Sequence, residues 1–160
     1  MRVAAILAVA MLVAFAGVAQ AKPPTPKVTG TYTYFVFDDP GNWRTWSIDA
    51  QGTDTVKGTW SSTALGVYHA GGPVTCLRVV GADAWLAGPI TYASEEVTAA
   101  AVAFWIHDGG TPGRKGDMAW GWYADPDEGL AEMEAICQDS QAAFEGFTPF
   151  QVVDGNAKVH

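Results

Sequence analysis

The sequence predicts a mainly β domain, an antiparallel barrel or sandwich of about eight to ten strands with one helix packed outside. Three observations carry that expectation. Glycine and Asp/Asn punctuation recurs roughly every 8 to 12 residues. The runs between those marks are short and rich in Val, Thr, Tyr, Phe and Trp, the residues that suit a pleated surface. Past residue 21, one stretch alone combines helix-start signals with a helical apolar stripe.

The first 21 residues form a separate unit. Arg2 precedes the apolar run VAAILAVAMLVAFAGVA, and Ala19-Gln20-Ala21 places small residues where signal peptidase requires them. Cleavage is expected after Ala21, which makes the mature chain secreted or periplasmic. A membrane anchor is the rival reading, because the run approaches spanning length. The KPPTPK that follows offers neither a cluster of basic stop-transfer residues nor a lipid-accepting cysteine. Residues 22–28 are expected as a linker and residues 29–160 as a single β domain with a helical insertion near 126–144.

Strands are expected at Thr29–Phe37, Trp43–Asp49, Thr55–Ser62, Val67–His69, Val74–Val80, Ala84–Thr91, Thr98–His107, Asp117–Tyr123, Thr148–Val153 and Asn156–His160. Alternation assigns their faces. Leu77 and Val79 share one side of TCLRVV, and across the Gly81-Ala82-Asp83 turn Ala84, Leu86 and Ile90 continue that apolar face. Cys76 then points away from the main core and needs a cover.

The helix is expected to supply it. Asp125 can cap the next turn, Pro126 suits the first helical position, and Glu128 completes a D-x-x-E capping box. Leu130, Met133, Ile136, Cys137 and Phe144 then fall along one stripe. Cys76 and Cys137 are the only cysteines, and an even count in an exported chain predicts one disulfide. Closing about 60 residues, it stabilises by about 3 to 4 kcal/mol through the unfolded state.

Charge limits the partners. Without Arg2 the chain has 8 basic against 17 acidic residues, a formal −9. Such a surface repels phosphate backbones and anionic headgroups, so neither nucleic acid nor, after signal cleavage, a membrane is expected as a partner.

The stretch HDGGTPGRKGD, His107 to Asp117, lies between two expected strands and must reverse the chain. Its glycines permit positive φ, Pro112 sets a bend, and Asp108 and Asp117 can accept hydrogen bonds from the loop's own amides. Calcium bound by Asp108, Asp117 and loop carbonyls is the alternative, although the spacing lacks the alternating acids and closing Glu of an EF-hand. No other cofactor is expected.

Seven tryptophans are expected mainly in the core or under the helix. If a ligand surface exists, Trp43, Trp105, Trp120 and Trp122 are its candidates, because flat rings stack on sugars and fill pockets. No catalytic set is visible. His69, His107 and His160 lack zinc spacing, no G-x-S-x-G occurs, and Asp38-Asp39 and Glu95-Glu96 are sequence neighbours that diverge on a strand.

Three segments, VTCLRVVGADAWLAGPI, HDGGTPGRKGD and DGNAKVH, resemble in residues and in order a family of small exported bacterial all-β domains of unknown function. That family carries V-x-C-L-x-V-x-G-x-x-A, D-x-G-x-P-G-x-x-D and G-N-x-x-V-H patterns. The resemblance covers about the last 85 residues. Gly109 departs from it, standing where asparagine is frequent, and the acidic helix looks like an elaboration. It implies an exported β-barrel or sandwich in which Asp108, Pro112 and Asp117 define a shared loop. It brings no catalytic residues.

The function expected from all this is a non-catalytic exported module that binds a protein, a glycan or a small apolar ligand. A lipocalin-like carrier is the first alternative and requires a hollow barrel. A small secreted hydrolase is the second and requires converging catalytic groups.

Overall fold

The computed structural model describes residues 24–110, 116–125, 127–139 and 148–160. The expected signal segment, Pro112, Pro126 and Phe144 lie outside the described residues. The strands are β1 (Lys27–Phe35), β2 (Trp43–Gln51), β3 (Lys57–Ala64), β4 (Tyr68–Pro73), β5 (Cys76–Val80), β6 (Asp83–Pro89), β7 (Tyr92–Ala93), β8 (Ala101–His107), β9 (Met118–Tyr123) and β10 (Phe150–Val159). Helix α1 spans Leu130–Gln138. All ten strands form one antiparallel sheet in the order β5-β6-β8-β9-β10-β1-β2-β3-β4-β7.

Two short links curl this sheet into a half-barrel. Strands β5 and β6 stand at one end of the order and β4 and β7 at the other. Yet β4 runs into β5 through Val74-Thr75, and β6 runs into β7 through Ile90-Thr91. The two links pass so close that only glycine fits between them. A Cβ on Gly72 would lie 2.1 Å from the Pro89 carbonyl oxygen, and one on Gly88 would lie 2.1 Å from that of Pro73. Backbone bonds hold the crossing, with Thr75 N–H donating to Ala87 O at 2.9 Å and Thr91 N–H to Gly71 O at 2.9 Å.

The curled sheet buries the alternate residues of each strand. Tyr32 and Tyr34 of β1, Trp46 and Ile48 of β2, Trp60 of β3, Phe104 and Ile106 of β8 and Val152 of β10 meet in one interior cluster. The β5–β6 hairpin joins it in the expected register. Leu77 faces Leu86 and Val79 faces Ala84; Leu77, Ala84 and Leu86 are buried, and Val79 and Ile90 pack against them half-buried.

Cys76 lies on the opposite face and is covered as expected. Met133 and Cys137 of α1 pack on Cys76, Trp85, Ala87, Trp105 and Trp120 in a second cluster outside the barrel. Cys76 and Cys137 form a disulfide with Cα atoms 6.3 Å apart. Burying Met133 completely removes one thioether side chain from water, worth about 1.5 to 3 kcal/mol, so the helix is held by packing as well as by the bond.

Several boundaries differ from expectation for local reasons. Strand β1 starts at Lys27, inside the expected linker, because Lys27 exchanges backbone hydrogen bonds with His160. The two expected C-terminal strands are one strand, β10, whose register against β1 shifts between Thr33 and Tyr34. Gly155, at φ +88°, pairs with Tyr32 within that strand. Nor does Asp125 cap α1. Gly129 is the N-cap, in extended conformation, so the helix starts later. Half of the expected box survives as a separate turn, with Asp125 N–H donating to Glu128 Oε2 at 2.8 Å.

Candidate functional site

The glycine-rich loop is a structural tie. Strand β9 pairs with β10 only through Phe150 and Gln151, and Val152 N–H still reaches the Asp117 carbonyl at 3.1 Å, but no β9 pairing extends to Ala157 and Val159. Two carboxylates replace the ladder. Asp117, fully buried, accepts from Gly109 N–H at 2.9 Å and from Ala157 N–H at 3.4 Å. Asp108 accepts from Gly110 N–H at 2.9 Å, the expected Asx turn, and from Val159 N–H at 3.1 Å. All four carboxylate oxygens thus serve backbone amides. Among the described residues no group of three or more His, Cys, Asp or Glu side chains is placed to hold a metal.

The histidines lie apart in the fold. His107 Nδ1 donates to Asp83 Oδ1 at 2.9 Å, and the Trp105 indole N–H donates to the same oxygen at 3.1 Å. His69 Nδ1 lies 3.2 Å from the Thr63 hydroxyl. His107 belongs to β8, paired with Met118 and Asp83, whereas His69 belongs to β4, paired with Thr63.

The interior is occupied by rings. Trp46 lies 5.7 Å from Trp60, 5.1 Å from Phe104 and 5.9 Å from Tyr123, centroid to centroid. The Trp46 indole N–H donates to the Tyr34 hydroxyl at 3.2 Å. Burial pushes the Tyr34 phenol up to about 12 and the Tyr32 phenol well above its ordinary value. Tyr123 is also raised, chiefly by burial, and is bonded to the Ser62 hydroxyl.

Arg44 stands at the border of this block. Its position follows from the alternation Arg44, Trp46, Ile48, which turns it inward on β2. The guanidinium lies 5.5 Å from the Tyr123 ring centroid, a cation–π distance. Among the described residues no carboxylate lies within ion-pair distance of it. Arg44 and Tyr123 line two cavities at once. One, of about 460 Å³, also contains His69, Glu96 and Asp125. The other is a groove of about 770 Å³ bordered by Phe37, Asp38, Trp122 and Phe150. Neither lining includes Trp46, Trp60 or Phe104.

The same end of the β1–β3 hairpins concentrates backbone strain. Phe37, Asp38 and Leu65 have φ of 55°, 56° and 54° and are the non-glycine residues with positive φ among those described. A left-handed L-residue costs about 1 to 2 kcal/mol. The β1–β2 connection follows the pair Phe35–Trp43, and the β3–β4 turn follows Ala64–Tyr68, with Arg44 opposite Ala64. Phe37 is 84% exposed, Val67 61% and Leu65 42%. Large apolar side chains are therefore presented to solvent on a backbone that resists the conformation.

Of the four tryptophans expected to form a ligand surface, the groove gathers Trp120 and Trp122, whose rings stack 6.3 Å apart. Trp105 is buried in the cluster under α1. Trp43 lies elsewhere, with its ring 3.5 Å from where a Cβ of Gly66 would be. Arg44, Phe37 and Tyr123 were missed, although the inward parity of Arg44 was readable from RTWSI.

Comparison with known protein families, curated proteins and solved structures finds no match for this chain. No helix among the described residues is long and apolar enough to cross a membrane.

Proposed function

We propose that this chain is an exported, non-catalytic β-barrel module that binds a glycan in the open groove bordered by Phe37, Arg44 and Phe150. One observation carries the reading: the barrel interior is packed with the chain's own aromatic rings, while the strained, exposed Phe37 and a guanidinium with no ion-pair partner among the described residues border a groove outside it. Strain of this kind persists where the surrounding structure imposes it and clusters at binding sites.

The groove's volume falls within the roughly 300 to 1,000 Å³ typical of small-molecule sites, which favours a concave ligand site over a flat protein interface. Its mixed lining favours a sugar. An apolar ligand would cover Arg44 and Asp38 without offering them partners, which is costly. A sugar presents C–H faces to the rings and hydroxyls to both charges. The filled interior weighs against a lipocalin-like carrier, and the separation of His69 from His107 weighs against a hydrolase. Export is supported by the leader-like first 21 residues and by the disulfide. The likeness to small exported β domains agrees with it.

A glycan array probed with the wild-type protein and with Phe37→Ser tests the reading. Binding to a defined set of sugars, lost in Phe37→Ser while the thermal melt is kept, is the expected result. Equal binding by the two proteins, or binding to no sugar, contradicts it.

A further inference from the structure

We infer that the glycan bound in this groove carries a single carboxylate, as a uronic acid does, and that Arg44 recognises it. The inference rests on the groove being the binding site, and it adds the ligand's charge and the residue that reads it.

Among the described residues Arg44 is the one arginine or lysine bordering either cavity. Its companions are the phenols of Tyr34 and Tyr123. Both phenols stay neutral at physiological pH, because burial raises them above their ordinary value. The guanidinium lies over the Tyr123 ring and hydrogen-bonds the Tyr123 hydroxyl, which takes one of its five donors; the remaining donors can meet a carboxylate in two parallel hydrogen bonds. Other cations in the fold do not combine these features. Arg78, for example, lies over Trp85 at 5.2 Å and borders neither cavity.

Charge over the whole chain limits the ligand to one acid group. The protein carries a formal −8, and Asp38 shares the groove with Arg44. A polyuronate would meet repulsion at every ring except the one on Arg44. A single terminal uronate places its carboxylate on Arg44, a ring face against Phe37, and a hydroxyl on Asp38. The outer face of β1–β3 offers a weaker alternative. There Thr31 and Ser47, and likewise Thr33 and Thr45, bond their hydroxyls to each other at 2.8 and 2.7 Å, so much of their capacity is spent within the sheet.

Calorimetric titration of the oxidised protein with cellobiouronic acid, its neutral counterpart cellobiose and a polyuronate tests the inference. Wild type is expected to bind cellobiouronic acid roughly tenfold or more tightly than cellobiose, and to bind the polyuronate less well per chain end. Arg44→Gln is expected to bind the two disaccharides equally, and Arg44→Lys to keep part of the preference. An NMR shift of the Arg44 Nε–H on adding the acid, absent with cellobiose, gives the same answer without a variant. Equal binding of both disaccharides by wild type, with Phe37→Ala weakening both, would overturn the role of Arg44 while leaving the groove in place. No binding of cellobiouronic acid by a protein that binds neutral sugars on the array would overturn the role of Arg44, and no binding to any sugar would overturn both readings. Tightest binding to the polyuronate would overturn the single-carboxylate claim.

Discussion

Replacing Asp117 by alanine removes the acceptor of two backbone amides, one part-buried at Gly109 and one buried at Ala157. Gly109 N–H loses a 2.9 Å bond and Ala157 N–H loses a longer one of 3.4 Å. Hydrogen bonds to a charged acceptor contribute about 1.5 to 3 kcal/mol, and stranding a buried donor has a similar cost. The longer bond belongs at or below the lower end of that range, so Asp117→Ala is expected to lose about 2.5 to 4 kcal/mol in total. Asp117→Asn keeps one oxygen but turns an amide donor toward a donor, and should lose about 1.5 to 3 kcal/mol. Equilibrium unfolding in urea measures both. With a slope of ~1.5 kcal/mol per molar, the alanine variant's midpoint should fall by about 2 M at unchanged slope. A loss below about 0.5 kcal/mol, the size expected of an ordinary surface substitution, would refute the claim that Asp117 stands in for the missing β9 ladder. Millimolar calcium should leave the wild-type melt unchanged, because amides already occupy the carboxylates. A rise in the melting temperature would show that the loop serves a cation.

Other consequences are as direct. Reducing Cys76–Cys137, or replacing both by alanine, should cost about 4 kcal/mol, and α1 amides should lose exchange protection before those of β1–β3; a shift under 1 kcal/mol would mean that packing alone holds the helix. Tyr32, Tyr34 and Tyr123 have raised folded-state values, so the unfolded chain releases their protons first. Their contribution is complete below the unfolded value of about 10 and is lost as pH rises through the folded values. The urea midpoint should therefore hold at pH 9 and fall steeply by pH 11.5, by up to about 1.4 kcal/mol per unit for each phenol; a flat profile would contradict their burial. Phe37→Gly should leave stability unchanged or raise it by up to about 1 kcal/mol, because it relieves a left-handed residue, while abolishing sugar binding. A loss above 1 kcal/mol would show that the ring supports the fold instead.

Much of the fold was legible because it rests on local rules. Period-two alternation placed Leu77, Ala84 and Leu86 inside and Cys76 outside, and the register Cys76–Ala87 and Leu77–Leu86 agrees. The capping signals located α1 only approximately, because Gly129 interrupts the turn that Asp125 starts. Strand order was not legible. Gly72 fell between two expected strands and Gly88 inside one, yet they let two links cross that are distant in sequence, and no local pattern announces such an approach. The bonds from the loop carboxylates to Gly109 and Gly110 were foreseeable, but their second partners, Ala157 and Val159, lie some forty and fifty residues away. The candidate groove was least visible. Trp120 and Trp122 could be chosen by type, whereas Arg44 and Phe37 matter through the cavity and the positive φ that tertiary structure gives them.

The chain fills its own barrel with aromatic rings, and the proposed ligand binds on the outside of it. Two-dimensional NMR of the oxidised protein titrated with cellobiouronic acid tests that placement most directly. The signals of Phe37, Arg44, Tyr123 and Phe150 should move, while the indole N–H groups of Trp46 and Trp60 stay fixed and slow to exchange. Movement of those two indoles, with ligand protons close to Phe104 or Ile106, would instead place the ligand inside the barrel and rule out the groove.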